Sequence, residues 1–98
     1  MLSKLYMQAE QAGLDNRLIQ LTEEMSELTK AICKLKRYYL EDKTLNQTIY
    51  QIRENLIEEL ADVDFCLEQV KYLLGARDKV ENIKEEKLIR TEKRLKGE

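Results

Sequence analysis

Proline, histidine and tryptophan are absent from this 98-residue chain, and glycine occurs only three times. With no proline and so few glycines, little interrupts a helix except at fixed points, so the chain reads as ordered and helix-rich rather than disordered. The missing histidine removes imidazole from both metal ligation and proton transfer. It also argues against the di-iron carboxylate bundles, whose helices carry Glu-x-x-His. No stretch approaches the roughly 18 consecutive apolar residues of a membrane span, and the N-terminus lacks a signal-peptide core, so the expectation is a cytoplasmic protein without a membrane partner. A net charge of −2, with 17 basic and 19 acidic residues interspersed, supplies no electrostatic reason to bind polymeric nucleic acid. The two cysteines, Cys33 and Cys66, have no Cys-x-x-Cys spacing, which removes support for a zinc or redox motif. Cys66 falls at a core position. Cys33 lies off its helix's apolar seam and lacks the histidine that would make it a nucleophile.

What remains is 43% hydrophobic and 37% charged, the make-up of one all-α domain spanning residues 1–98. A short helix is predicted over residues 2–12, ending at Gly13. Asp15 is placed to cap a second helix running to about Leu40. A polar loop, Glu41 to Lys43, then leads to Thr44 and Gln47, a capping-box pair that would open a third helix reaching about Leu74. Gly75 stops it, and Asp78 with Glu81 repeats the capping-box pattern ahead of a fourth helix ending near Leu95.

The second helix carries Leu18, Leu21, Met25, Leu28, Ile32, Leu35 and Tyr39 at alternating steps of three and four, the repeat of a helix burying one seam. Glu24 and Glu27 lie beside that seam in a row with Gln20 and Ala31, while Glu23 points further out. In the third helix the seam is Ile49, Ile52, Leu56, Glu59, Val63, Cys66, Val70 and Leu73. Glu59 occupies a core slot. Asp62 follows at i+3, so if the two helices pack as an antiparallel hairpin, Glu24, Glu27, Glu59 and Asp62 converge near its middle.

Four carboxylates cannot share a partly dry site without a counter-charge. Oxygen-only ligands favour a hard divalent cation, Mg²⁺ or, as a substitute, Mn²⁺, which takes phosphate as a further ligand. For Glu23, Glu24 and Glu27 the bland alternative is pairing with Arg17, Lys30 or Lys34 on a solvated helix. For Glu59 it is a buried ion pair with Arg53 or Lys71 of a partner helix. In the fourth helix the stripe begun by Val80 and Ile83 continues as Lys87, Arg90 and Arg94, a cationic row suited to a phosphate chain or simply to solvent. Leu60, Leu67 and Leu74 make a second apolar stripe on the third helix, and Leu14, Tyr38 and Leu40 add apolar surface on the second. The economical expectation is a homodimer whose paired hairpins form a helical bundle, with a tetramer as the larger option.

Glu23-Glu24-Met-Ser-Glu27 followed by Glu59-Leu-Ala-Asp62 resembles the motif of the MazG-like, all-α nucleoside triphosphate pyrophosphohydrolases. Leu21 to Leu28 with Ala31-Ile32, Asn55 to Val63, and Lys87-Leu-Ile-Arg90 resemble the family's successive motif helices, although Leu88 stands where an aromatic is common. The resemblance covers residues 14 to 94. It implies Mg²⁺-dependent hydrolysis of a nucleoside or deoxynucleoside triphosphate between its α and β phosphates, giving monophosphate and pyrophosphate. Glu24, Glu27, Glu59 and Asp62 would hold the metal, Glu23 or Glu27 would act as general base, and Lys87 and Arg90 would bind the phosphates. Asn55 would orient a ligand or touch substrate, and Tyr6, Asn16 and Gln20 are candidates for the base pocket. Two other readings stand beside this one. One is a non-catalytic dimeric helical interaction module in which Glu59 sets register, and the other an enzyme of the phosphoribosyl-ATP pyrophosphohydrolase type.

Overall fold

The turn chemistry at three points sets the layout of the chain. In the computed structural model, which describes residues 2–98, four α-helices follow one another: α1 (Leu2–Ala12), α2 (Leu14–Tyr39), α3 (Ile49–Leu73) and α4 (Arg77–Leu95). No strand occurs among the described residues. Gly13, at φ 86°, adopts a backbone that L side chains avoid, and α2 starts immediately after it. The turn at the end of α3 is a paired one. Gly75 (φ 63°) donates to the Tyr72 carbonyl at 3.0 Å and Ala76 donates to the Lys71 carbonyl at 2.9 Å, which satisfies two carbonyls the helix end leaves open.

The helix starts differ from the predicted ones. Asp15 does not cap α2, because Gly13 holds the cap position without a side-chain bond and Asp15 falls in the first turn, where its charge still suits the helix dipole. Thr44 and Gln47 do not open α3. The Thr44 hydroxyl donates to Asp42 at 2.6 Å and accepts from Arg37 at 3.1 Å, so it is committed to the loop. The capping box forms four residues later: Gln51 N–H donates to Thr48 Oγ1 at 3.1 Å and Thr48 N–H to Gln51 Oε1 at 2.9 Å. Asp78 does not cap α4 either, since the turn through Gly75 and Ala76 already brings the chain into helix at Arg77. Replacing Thr48 by Ala should cost about 1 kcal/mol, read as a fall in melting temperature of about 4–8 °C; Thr48→Ser should keep most of it.

α2 and α3 form an antiparallel hairpin, α2 alone being about 39 Å long at 1.5 Å per residue. α1 closes the hairpin's open end through a buried polar link. Gln69, 1% exposed, accepts from Arg17 at 3.1 Å and donates to the Leu5 carbonyl at 3.1 Å. Beside it Tyr6 stacks on Tyr72 with centroids 4.0 Å apart, and the Arg77 guanidinium lies 5.4 Å from the Tyr6 ring. The α3 seam faces inward along its whole length: Ile52, Val63, Cys66 and Val70 are buried, and Ile49, Leu56, Glu59 and Leu73 half-buried.

The α2 seam divides. Leu21, Leu28 and Leu35 turn toward α3 with the buried Ala31, while Leu18 (41% exposed), Met25 (52%), Ile32 (42%) and Tyr39 (68%) face outward at intervals of seven residues. Leu60, Leu67 and Leu74 on α3 are exposed as well. α4 packs on α3, reaches α1 only through Arg77 over Tyr6, and apart from the half-buried Ala76 and Val80 at its start stands in solvent. The result is an open shape. Its radius of gyration is 17.4 Å, against about 13 Å for a compact chain of this length.

Candidate metal centre

Two helices supply the acids because the inward rows of α2 and α3 meet at mid-hairpin. One carboxylate oxygen from each of Glu24, Glu59 and Asp62 lies within 4.8 Å of the others. Glu24 reaches this point from the inward side of α2 and accepts a hydrogen bond from Gln20 Nε2 at 2.6 Å, which fixes its direction. Glu59 and Asp62 come from successive turns of α3. One carboxylate oxygen of Glu59, Oε2, is shielded from solvent and has no hydrogen-bond partner. A shielded, unpaired carboxylate oxygen facing two more acids is costly unless a cation joins it.

The titration of Glu59 reflects that setting. Its carboxyl is pushed above the ordinary 4.5, first by burial and then by the charges of Asp62, Glu24, Glu27 and Glu58. A raised folded-state pKa makes the contribution to stability fully present below the unfolded value and lost as pH rises through the folded one. The metal-free chain should therefore lose stability as pH climbs from just below 4.5 through that raised value, and Mg²⁺ should restore more at pH 8 than at pH 4. Thermal denaturation across pH, with and without the ion, checks this.

The remaining sequence candidates fall around the cluster or away from it. Glu27 is exposed and pairs with Lys30 at 3.3 Å, leaving it at the rim rather than among the three converging oxygens. Glu23 is exposed too. Asn55 lines a cleft with Glu27 and Glu59. Lys87 and Arg90 line a separate surface hollow on α4 with Thr91 and Arg94, and α4 has no contact with α2. A single chain thus brings Gln20, Glu24, Glu27, Asn55, Glu59 and Asp62 together and leaves Lys87 and Arg90 apart. The Tyr6 ring stacks on Tyr72 and lies under Arg77 while its hydroxyl is buried without a hydrogen-bond partner, and Asn16 donates to the Ala12 carbonyl at 2.7 Å.

Lys30 and Lys34, ion-pair partners by their spacing in the sequence, both line the cleft beside Glu59. The signal was present in their spacing, one turn apart and on the Glu27 side of α2. No family model, curated protein or solved structure matches the chain.

Proposed function

We propose that this chain is the protomer of a homodimeric, Mg²⁺-dependent pyrophosphohydrolase acting on a nucleoside or deoxynucleoside triphosphate, with cleavage between the α and β phosphates. The observation that supports it most is the meeting of Glu24, Glu59 and Asp62 together with a shielded Glu59 oxygen that has no partner among the described residues. All donors are carboxylate oxygens, the set a hard divalent cation prefers, and Glu27, which lines the neighbouring cleft with Glu59, is the fourth ligand the resemblance implies. Bound there, Mg²⁺ would neutralise the triphosphate and render water more nucleophilic. The chain's own residues do the rest. Gln20 holds the Glu24 carboxylate in place, and Glu27 or Glu23, solvent-facing at the rim, accepts the proton of the attacking water. Oxygen from water joins the α phosphorus as the bridging bond breaks, and the bridging oxygen leaves on pyrophosphate. Lys87 and Arg90, the phosphate contacts the resemblance implies, would have to arrive from the α4 of another chain.

The exposed apolar rows favour self-association, which a non-catalytic interaction module would share. That module needs a cation for Glu59. Lys71 is paired with Glu68 at 2.6 Å and Arg53 is exposed, so the module would need one of them to reach Glu59 from a partner chain. Manganese supplies a direct test of the metal site. Mn²⁺ should broaden the side-chain carboxyl signals of Glu24, Glu59 and Asp62 before those of other acids, and excess Mg²⁺ should reverse the effect; uniform broadening over the surface would rule the site out.

A further inference from the structure

Glu59 has two neighbourhoods. One is the carboxylate cluster; the other is a cleft of about 370 Å³ between α2 and α3, lined by Glu27, Lys30, Lys34, Arg37, Asn55 and Glu59. The cleft carries two acids, Glu27 and Glu59, and three bases, Lys30, Lys34 and Arg37. Lys30, Lys34 and Arg37 stand at i, i+4 and i+7 of α2, hence on one face, with about 6 Å of helix rise between the two lysines. Their commitments differ. Arg37 is fixed at the far end by Asp42 at 2.8 Å and Thr44 at 3.1 Å. Among the described residues Lys30 pairs only with Glu27, at 3.3 Å and with both side chains more than half exposed, an attachment solvent readily replaces. Lys34 is half-buried and has no ion pair among the described residues.

We infer that Lys34, assisted by Lys30, forms a polyphosphate-binding cleft on α2 that continues from the carboxylate cluster and holds the distal phosphates in the same chain as the metal ligands. This rests on the metal-dependent reading for its orientation, not for its cations. A divalent ion at Glu24, Glu59 and Asp62 neutralises only part of a triphosphate, and the remaining charge needs donors a few ångströms along the chain of phosphates. Lysine suits the task, as a point charge with three donors on a stem long enough to follow the phosphate oxygens. Asn55, on α3, adds an amide from the opposite wall. Lys87 and Arg90 lack this continuity, because their helix meets neither α2 nor the cluster.

Calorimetric titration of inorganic triphosphate into the full chain, with and without Mg²⁺, tests the cleft without requiring turnover. Lys34→Glu should weaken triphosphate binding by about tenfold or more, and Lys30→Ala/Lys34→Ala comparably, whereas Lys34→Arg should stay within about threefold. Mg²⁺ affinity measured alone should be unchanged by Lys34→Ala, separating the cleft from the metal site. Lys87→Ala/Arg90→Ala should weaken triphosphate less than Lys34→Glu does. Binding by Lys34→Glu equal to that of the native chain overturns the inference, as does a native chain that takes Mg²⁺ but no triphosphate. If the native chain takes no Mg²⁺, the metal reading fails, and the native-against-Lys34→Glu comparison without metal still decides the cleft.

Discussion

Glu59→Gln is expected to lower metal-dependent triphosphate hydrolysis by about a hundredfold or more while leaving a folded dimer. Glutamine keeps the shape of the side chain and removes its charge, so the packing of α3 against α2 survives and the cation loses a ligand. Stability should move the other way. In the native chain the carboxylate is held above its ordinary pKa by burial and by three neighbouring acids of the site, so the metal-free variant should melt at the same temperature as the native protein or higher. The gap should open as pH rises above 4.5 and close below it. Glu59→Leu should raise the melting temperature by several degrees and abolish turnover, the pattern of an acid that trades stability for function. Unchanged turnover in Glu59→Gln, or collapse of its fold, would remove Glu59 from the site and return it to the role of a register-setting core residue.

The second large effect concerns assembly. The isolated chain exposes 7899 Å², roughly 2,000 Å² more than a compact monomer of its mass. An interface of ordinary size takes about 800 Å² from each partner, so one contact of that kind would use about two fifths of the excess and leave room for a larger one. The outward row of Leu18, Met25, Ile32 and Tyr39 recurs every seven residues, the spacing that lets one helix seat against another along its length. The native protein should run in size-exclusion chromatography with light scattering at twice 11.6 kDa. Met25→Glu combined with Ile32→Glu should bring it to monomer mass and lower its melting temperature by about 10 °C or more. A native protein that remains a folded monomer at micromolar concentration contradicts the homodimer, and with it any supply of Lys87 and Arg90 from a second chain.

Period and punctuation explain which parts of this structure the sequence disclosed. The α3 seam was legible residue by residue, Glu59 included, because every seam position faces the same neighbour. The α2 seam was legible as a repeat but not as a surface. Three-and-four spacing marks a stripe wide enough for two contacts, and the chain uses the Leu21, Leu28 and Leu35 half for α3 while the Leu18, Met25 and Ile32 half faces outward. That split also moves Glu24 inward and leaves Glu27 at the rim. Helix ends at Gly13 and Gly75 followed from the one residue type that accepts their backbone. Starts were harder, since Thr44 and Thr48 each precede a glutamine by three residues, and only the competing bonds to Asp42 and Arg37 decide between them. The direction of α4 was not legible at all. Its cationic row was visible, but nothing in periodicity says which helix a tail packs against once its apolar stripe fades after Ile83.

Product analysis with Mg²⁺ present and absent tests the central claim most directly. Phosphorus NMR of canonical and modified nucleoside triphosphates incubated with the native chain should show monophosphate and pyrophosphate in equal amounts, only with the metal, and none from Glu59→Gln. Release of inorganic phosphate and nucleoside diphosphate instead, or no products from any triphosphate while Mg²⁺ also fails to stabilise the fold, would contradict it.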